Sequence, residues 1–444
     1  MRALLIVCFF LVSPLAVQAQ PAPLAERLRA QFQTAQTSRD ISGAIAMRRG
    51  DVLLAYERFG EADYETGTAL TPQTRFSAGS MSQALVLALL LELEEDGRLD
   101  RDAPVRSLIP ELLTGYTATI GEVMAGTSAL PAIQRDALID ARTDTYVSWF
   151  NHSYEPATAV TAAESGAWLP LLVILAERAG GGRLELLSTL HVFAPLGMTD
   201  SVFHRGSGQA PLRRAIGYEP AGSPLQIDRA ADMPAGLIDH GWWTTPDDLL
   251  RFAAALSRRE IDFFTTDGRF AGGLARVMVA NEAVYVLEGE ADGFRTGLLF
   301  IPSQDITVSY ALNLVSYPVE GLAEALAHIA LSQPLESLPE RLASYQWLNS
   351  HLDAAGEYAL PSGERLELRV SPGGLVLQPS GELLTPTGED RLLWRRMNTE
   401  LLMMRRADGA VERLAATRHL PLQTPEQFEI VRTDLPAPVI ETAD

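Results

Sequence analysis

Leu24, Leu28 and Phe32 recur every fourth residue, so residues 21–39 predict an amphipathic helix. The apolar runs at 42–47 and 52–56 are joined by Arg49-Gly50-Asp51, the pattern of a β-hairpin. Residues 84–91 are apolar almost without interruption, and Leu85, Leu89 and Leu93 continue at helical spacing until Gly97. A helix that is apolar on every side predicts a buried central element. Residues 169–179 predict a second apolar helix, stopped by Gly180-Gly181-Gly182. Residues 293–302 and 306–313 predict two antiparallel strands, and 323–332 a helix packed on them.

Beyond Glu336-Ser337-Leu338-Pro339 the pattern changes to period two. Residues 365–370, 374–378, 391–397, 400–406 and 410–414 alternate apolar with polar side chains. Turn sequences such as Ser371-Pro372-Gly373-Gly374 and Ala407-Asp408-Gly409 separate them. This predicts a small antiparallel β domain, partly open to water on one face. The expected division is a signal peptide at 1–19, a main domain at 20–332, and a linker with the β domain at 333–444.

Met1-Arg2, an apolar run at 3–12 and Val17-Gln18-Ala19 form a secretory signal pattern with cleavage expected after Ala19. A secreted or periplasmic address follows, with no transmembrane segment, since no apolar run reaches bilayer length. The single cysteine, Cys8, lies inside that signal, so no disulfide is expected in the mature chain. The net charge of −20 argues against nucleic acid and anionic membranes as partners, since both select basic surfaces. No metal or nucleotide motif is present, and no cofactor is expected. Among its 444 residues the chain has no lysine, so every basic side chain other than histidine is arginine. Arginine stays protonated and cannot serve as a general base near neutral pH.

Phe76-Ser77-Ala78-Gly79-Ser80-Met81-Ser82-Gln83 opens the central helix. It resembles the Phe-x-x-Gly-Ser-x-(Ser/Thr)-Lys of the serine β-lactamase and penicillin-binding protein family. The branch resembled is that of class C β-lactamases, D-Ala-D-Ala carboxypeptidases and related esterases. Further likenesses are Gly60-Glu61-Ala62-Asp63, Thr119-Ile120 with Thr127-Ser128, and Pro195-Leu196-Gly197-Met198-Thr199-Asp200-Ser201. Thr244-Thr245-Pro246-Asp247-Asp248-Leu249-Leu250-Arg251-Phe252 and the strand ending at Asn313 continue them. Gly356-Glu357-Tyr358 and Asp408-Gly409 resemble a lipocalin-like tail carried by some members. The resemblance covers about residues 25–332. It implies an α/β (α+β) fold in which helices flank an antiparallel sheet beside an all-α part, and Ser80 stands at the nucleophile position.

The catalytic positions depart from the family. Gln83 occupies the lysine position, and an amide cannot take the serine proton. The Tyr-x-Asn position falls on Ala162 or Ala163 and on Glu164 or Ser165. The Lys/His-x-Gly position falls on Leu287-Glu288-Gly289, with Glu288, Glu290 and Asp292 facing any substrate carboxylate. Ser80 is alternatively a helix cap. Glu164 and His240, the latter beside Asp239, are the candidate substitute bases. Trp242 and Trp243 are expected in the core, and the remaining histidines are read as structural. The expectation is a degenerate serine hydrolase that binds a cell-envelope small molecule, peptide or protein partner. The alternative is a divergent serine hydrolase or esterase using Ser80 with a non-standard base.

Overall fold

The computed structural model describes residues 23–37, 41–132, 143–161, 165–204, 211–220, 227–230, 241–258, 273–315, 322–333, 346–378, 381–394, 397, 399–418 and 426–434. The 1–19 segment, and Cys8 within it, lie outside them.

Helix α1 (Leu24–Thr37) buries Leu28 and Phe32, the predicted apolar stripe. The hairpin follows as β1 (Ile41–Arg49) and β2 (Val52–Phe59), turning at Gly50 and Asp51. Helix α2 (Ser82–Glu95) buries Ser82 and Gln83 together with its aliphatic residues. Helix α3 (Trp168–Gly180) is buried from Trp168 through Ala176 and ends at Gly181 in the left-handed conformation, φ 69°. Helix α4 (Pro246–Arg258) starts under Thr245, whose hydroxyl accepts the Asp248 N–H at 3.2 Å, as expected of an N-cap.

Four strands complete the main sheet: β3 (Ala275–Val279), β4 (Glu282–Ala291), β5 (Phe294–Ile301) and β6 (Ile306–Val315). Their order is β3-β4-β5-β6-β1-β2, antiparallel throughout, with two short strands off this path. The first strand of the chain therefore lies beside the last of the sheet, from Ile41 opposite Val315 to Arg49 opposite Ile306. Alternation along the strands supplies two cores. Val284, Val286, Leu299 and Val308 face α1 and helix α5 (Leu322–Ala330). Leu287 and Leu298 face the larger core around α2 and α3.

The C-terminal part is a nine-stranded antiparallel sheet. Its strands are β7 (Gly356–Ala359), β8 (Arg365–Ser371), β9 (Gly374–Gln378), β10 (Glu382–Leu383), β11 (Thr385–Gly388), β12 (Arg391–Trp394), β13 (Thr399–Arg405), β14 (Val411–Arg418) and β15 (Glu426–Arg432). Its path runs β10-β9-β8-β7-β15-β14-β13-β12-β11. Only Leu384 separates β10 from β11, yet these are the two ends of the path. The sheet must therefore curl until its ends meet, as in a barrel. Tyr358, Leu368, Leu375, Leu401 and Leu414 form its core. Buried His351 accepts the Leu348 N–H on Nδ1 at 2.9 Å, and its Nε2 lies 2.8 Å from the Gly388 carbonyl. This fixes Nε2 as the protonated nitrogen and His351 as a structural residue.

Candidate active site

Ser80 belongs to a short turn, Gly79–Met81, between a two-residue strand, Phe76–Ser77, and α2. That strand pairs with Trp242–Thr244, Phe76 opposite Thr244. The Ala78 N–H reaches the Trp242 carbonyl at 2.8 Å, and Ser82 Oγ accepts the Trp242 N–H at 3.4 Å. Thr296 on β5 donates its hydroxyl to the Ser77 carbonyl at 2.7 Å. The serine turn is thus tied both to the Trp242–Thr244 strand and to the main sheet.

Two glycines permit the close approach of the turn to β4. A Cβ on Gly289 would lie 2.2 Å from the Ala78 carbonyl oxygen. One on Gly79, whose φ is 54°, would lie 2.3 Å from that of Glu290. With nothing in the way, the Glu290 backbone N–H points at the Ser80 hydroxyl across 3.4 Å. The expectation that Ser80 caps the helix is corrected here. Helix α2 begins two residues later, Met81 is its N-cap, and no side chain supplies a cap bond. The Ser80 hydroxyl turns towards the strand edge instead.

Gln83 lies in the first turn of α2, three residues beyond Ser80, and is 9% exposed. Leu287 is buried in the α2 side of the core. Glu288 and Glu290 project to the other face of β4. Their neighbours there are two residues that the sequence reading did not single out, Tyr310 and Arg295. Glu288 shares a rung with Gly297 and Tyr310, and Glu290 lies opposite Arg295. A Cβ on Gly297 would lie 2.3 Å from the Tyr310 ring, so the bare glycine lets that ring cross β5. The Tyr310 hydroxyl donates to Glu288 Oε1, and the Arg295 guanidinium pairs with Glu290. The sequence signal for this was an isolated glycine within an apolar strand.

Glu288 is exposed along its length, but its carboxyl end lies against the fully buried Tyr310. Desolvation holds its pKa above the ordinary value and Glu324 adds to the rise, while the Tyr310 bond and Arg295 oppose it. Burial, and then Glu288, hold the Tyr310 phenol well above its ordinary value. Ser80, Glu288, Gly289, Glu290, Arg295, Thr296 and Tyr310 together line a cavity of about 310 Å³.

Several motif residues prove structural. Ser165 donates to the Pro131 carbonyl at 2.7 Å and accepts the Ala167 N–H at 3.1 Å. Asp248, 1% exposed, accepts from Ser201 Oγ and the Asp200 N–H at 2.9 Å each, and its pKa is raised by desolvation. Asn313 donates to the Glu61 carbonyl at 3.0 Å and to that of Ile216 at 2.9 Å. Trp242 and Trp243 are buried against Phe252 and Phe294, in the core as expected. Tyr154, outside these motifs, stacks on Phe150, ring centroids 5.6 Å apart. Glu164, His240, Ala162 and Ala163 lie outside the described residues. Among the described residues, Ser80 Oγ meets the Glu290 N–H and no titratable side chain. Among them, no helix is long and apolar enough to cross a membrane. No three or more His, Cys, Asp or Glu among them gather as metal ligands would.

Comparison with known proteins agrees with this fold. The family model described as Beta-lactamase matches residues 28–332. A Bacillus subtilis (strain 168) protein named as penicillin-binding protein PbpX is 28% identical over 189 residues, 41% of this chain and 46% of that protein. The match thus spans less than half of that relative's length. Esterase EstB of Burkholderia gladioli is 28% identical over 291 residues, 55% of this chain and 73% of that one. The octameric penicillin-binding protein homologue from Pyrococcus abyssi superposes with a TM-score of 0.59. It covers 92% of this chain and 96% of its own at 17% identity, a likeness of fold.

Proposed function

The chain belongs to the beta-lactamase family, and from that membership we propose that it is a binding protein, one that holds a ligand carbonyl at Ser80 without hydrolysing it. Gln83 is the observation that carries this reading. A serine hydroxyl is a weak nucleophile until an adjacent base takes its proton, and an amide cannot do so. In a chain without lysine, no other residue can bring the missing amine. Where nucleophile and base work as a unit, loss of either lowers turnover by on the order of 10⁶. The secretory pattern of residues 1–19 supports an envelope setting, and a cell-envelope small molecule, peptide or protein as partner. The division at 332/333 is part of the same proposal.

A serine esterase with an unusual base is the second reading. One observation favours it: the Glu290 N–H still points at Ser80, where it would meet a developing oxyanion. Its bases would be Glu164 or His240. Initial rates of p-nitrophenyl acetate hydrolysis, compared with Ser80→Ala, separate the two. Equal rates in parent and variant are expected. A rate lost with Ser80→Ala and again with Glu164→Gln or His240→Gln would establish the esterase.

A further inference from the structure

The cavity beside Ser80 is lined by two carboxylates in unlike settings. Glu290 is paired with Arg295 on the adjacent strand, so its charge is largely met within the wall. Arg295 is held there, its side chain 14% exposed and its guanidinium also donating to the Phe294 carbonyl at 3.0 Å. A carboxylate seeking Arg295 would have to displace Glu290. Glu288 is different. Its Oε1 takes the Tyr310 hydroxyl, a neutral donor, and its Oε2 has no hydrogen bond among the described residues. Tyr310 is fully buried and cannot swing out, because its ring lies in the channel that Gly297 leaves open. Among the described residues the carboxylate is therefore held on the cavity wall with no ion pair of its own, and the Arg295 charge that acts on it is shared with Glu290.

We propose that this cavity takes a primary amine in its ammonium form, with Glu288 as its counter-ion and the Glu290 N–H receiving a carbonyl oxygen of the same molecule. The inference rests on the binding reading above and names its ligand class. An ammonium presents three donors and a full charge. It would meet the free oxygen of Glu288 in a partly dry recess, where such a pair is stronger than in water. A carboxylate in the same place would face the Glu288 carboxylate and be repelled. A neutral ligand of equal size would keep the carbonyl contact and lose the charged one. Preference for cation over anion would reverse the carboxylate recognition that the lost cation on β4 implies.

Three matched probes test it on the full chain by calorimetric titration at pH 7. Phenylalaninamide is the cation, N-acetylphenylalaninamide the neutral form and N-acetylphenylalanine the anion. The cation should bind about tenfold more tightly than either of the others, the size of one modest charged contact. Glu288→Gln should weaken the cation about tenfold and leave the neutral probe unchanged. Tyr310→Phe removes the neutral donor, keeps Glu288, and should preserve the ranking. Equal affinities, a preference for the anion, no binding by any probe, or a Glu288→Gln variant with unchanged cation affinity would each overturn the proposal. If Glu288→Gln fails to fold, the ranking in the parent chain still decides. Release of ammonia from bound phenylalaninamide would instead strike the reading of binding without turnover, and would leave the charge preference standing.

Discussion

Glu290 aims its backbone N–H at the Ser80 hydroxyl across 3.4 Å, and it can do so because Gly79 and Gly289 carry no side chains between the turn and the strand. An N–H donor thus faces the Ser80 hydroxyl, and Gln83 follows three residues on, in the first turn of α2.

The glycine contact predicts its own sensitivity. Gly289→Ala would put a methyl 2.2 Å from the Ala78 carbonyl oxygen, which is backbone and cannot rotate away. Overpacking of this kind costs about 1–3 kcal/mol. Urea denaturation should show that loss, and an unchanged midpoint would mean the turn and strand are not in contact.

Ser80→Ala should behave in the opposite way. The hydroxyl caps no helix, and its partner among the described residues is a single N–H at 3.4 Å. The expected change in stability is within about 0.5 kcal/mol. A loss above about 1 kcal/mol would restore the capping role.

Glu288 predicts a pH dependence. Its carboxyl titrates above its ordinary value in the folded chain, chiefly through desolvation. Between the ordinary value of about 4.3 and the raised one, the folded chain holds the proton more tightly than the unfolded chain. Stability therefore falls as pH rises across that interval, and the loss persists above it. Glu288→Gln removes the titration, so the variant should match the parent at low pH and gain on it from about pH 4.3 upward. Urea midpoints measured from pH 4 to 7 check this; parallel curves would contradict it.

Gln83→Lys would return an amine to the first turn of α2. Burial should lower its pKa towards a useful range. The strand cation would still be absent, because Leu287 is buried in the core. We expect at most slow hydrolysis of p-nitrophenyl acetate and none of penicillins; kinetics on the purified variant decide it. Penicillin turnover well above the buffer rate would mean that the cleft still recognises β-lactams.

Much of the fold was legible because its signals are local. The all-round apolar run of α2 announced a buried helix, and the hairpin, the strand pair 293–302 and 306–313, and the Thr245 cap carried their own punctuation. The Ser80 position was legible from its motif, but the direction of its hydroxyl was not, since it depends on where α2 starts. The cavity was less legible. Glu288, Gly297 and Tyr310 meet only through the register of three strands, and nothing in the spacing of 288, 297 and 310 reveals a shared rung. Barrel closure was hidden for a related reason: the alternation predicts strands, whereas closure depends on β10 and β11 being the two ends of the path.

Acylation of Ser80 is the most direct test of the central claim. The full chain is incubated with a fluorescent penicillin and with nitrocefin, and its intact mass is recorded beside that of Ser80→Ala. With Gln83 at the position the motif gives to lysine, the mass should stay unchanged and nitrocefin should disappear only at the buffer rate. A stoichiometric acyl adduct on Ser80, absent from Ser80→Ala, would contradict the account.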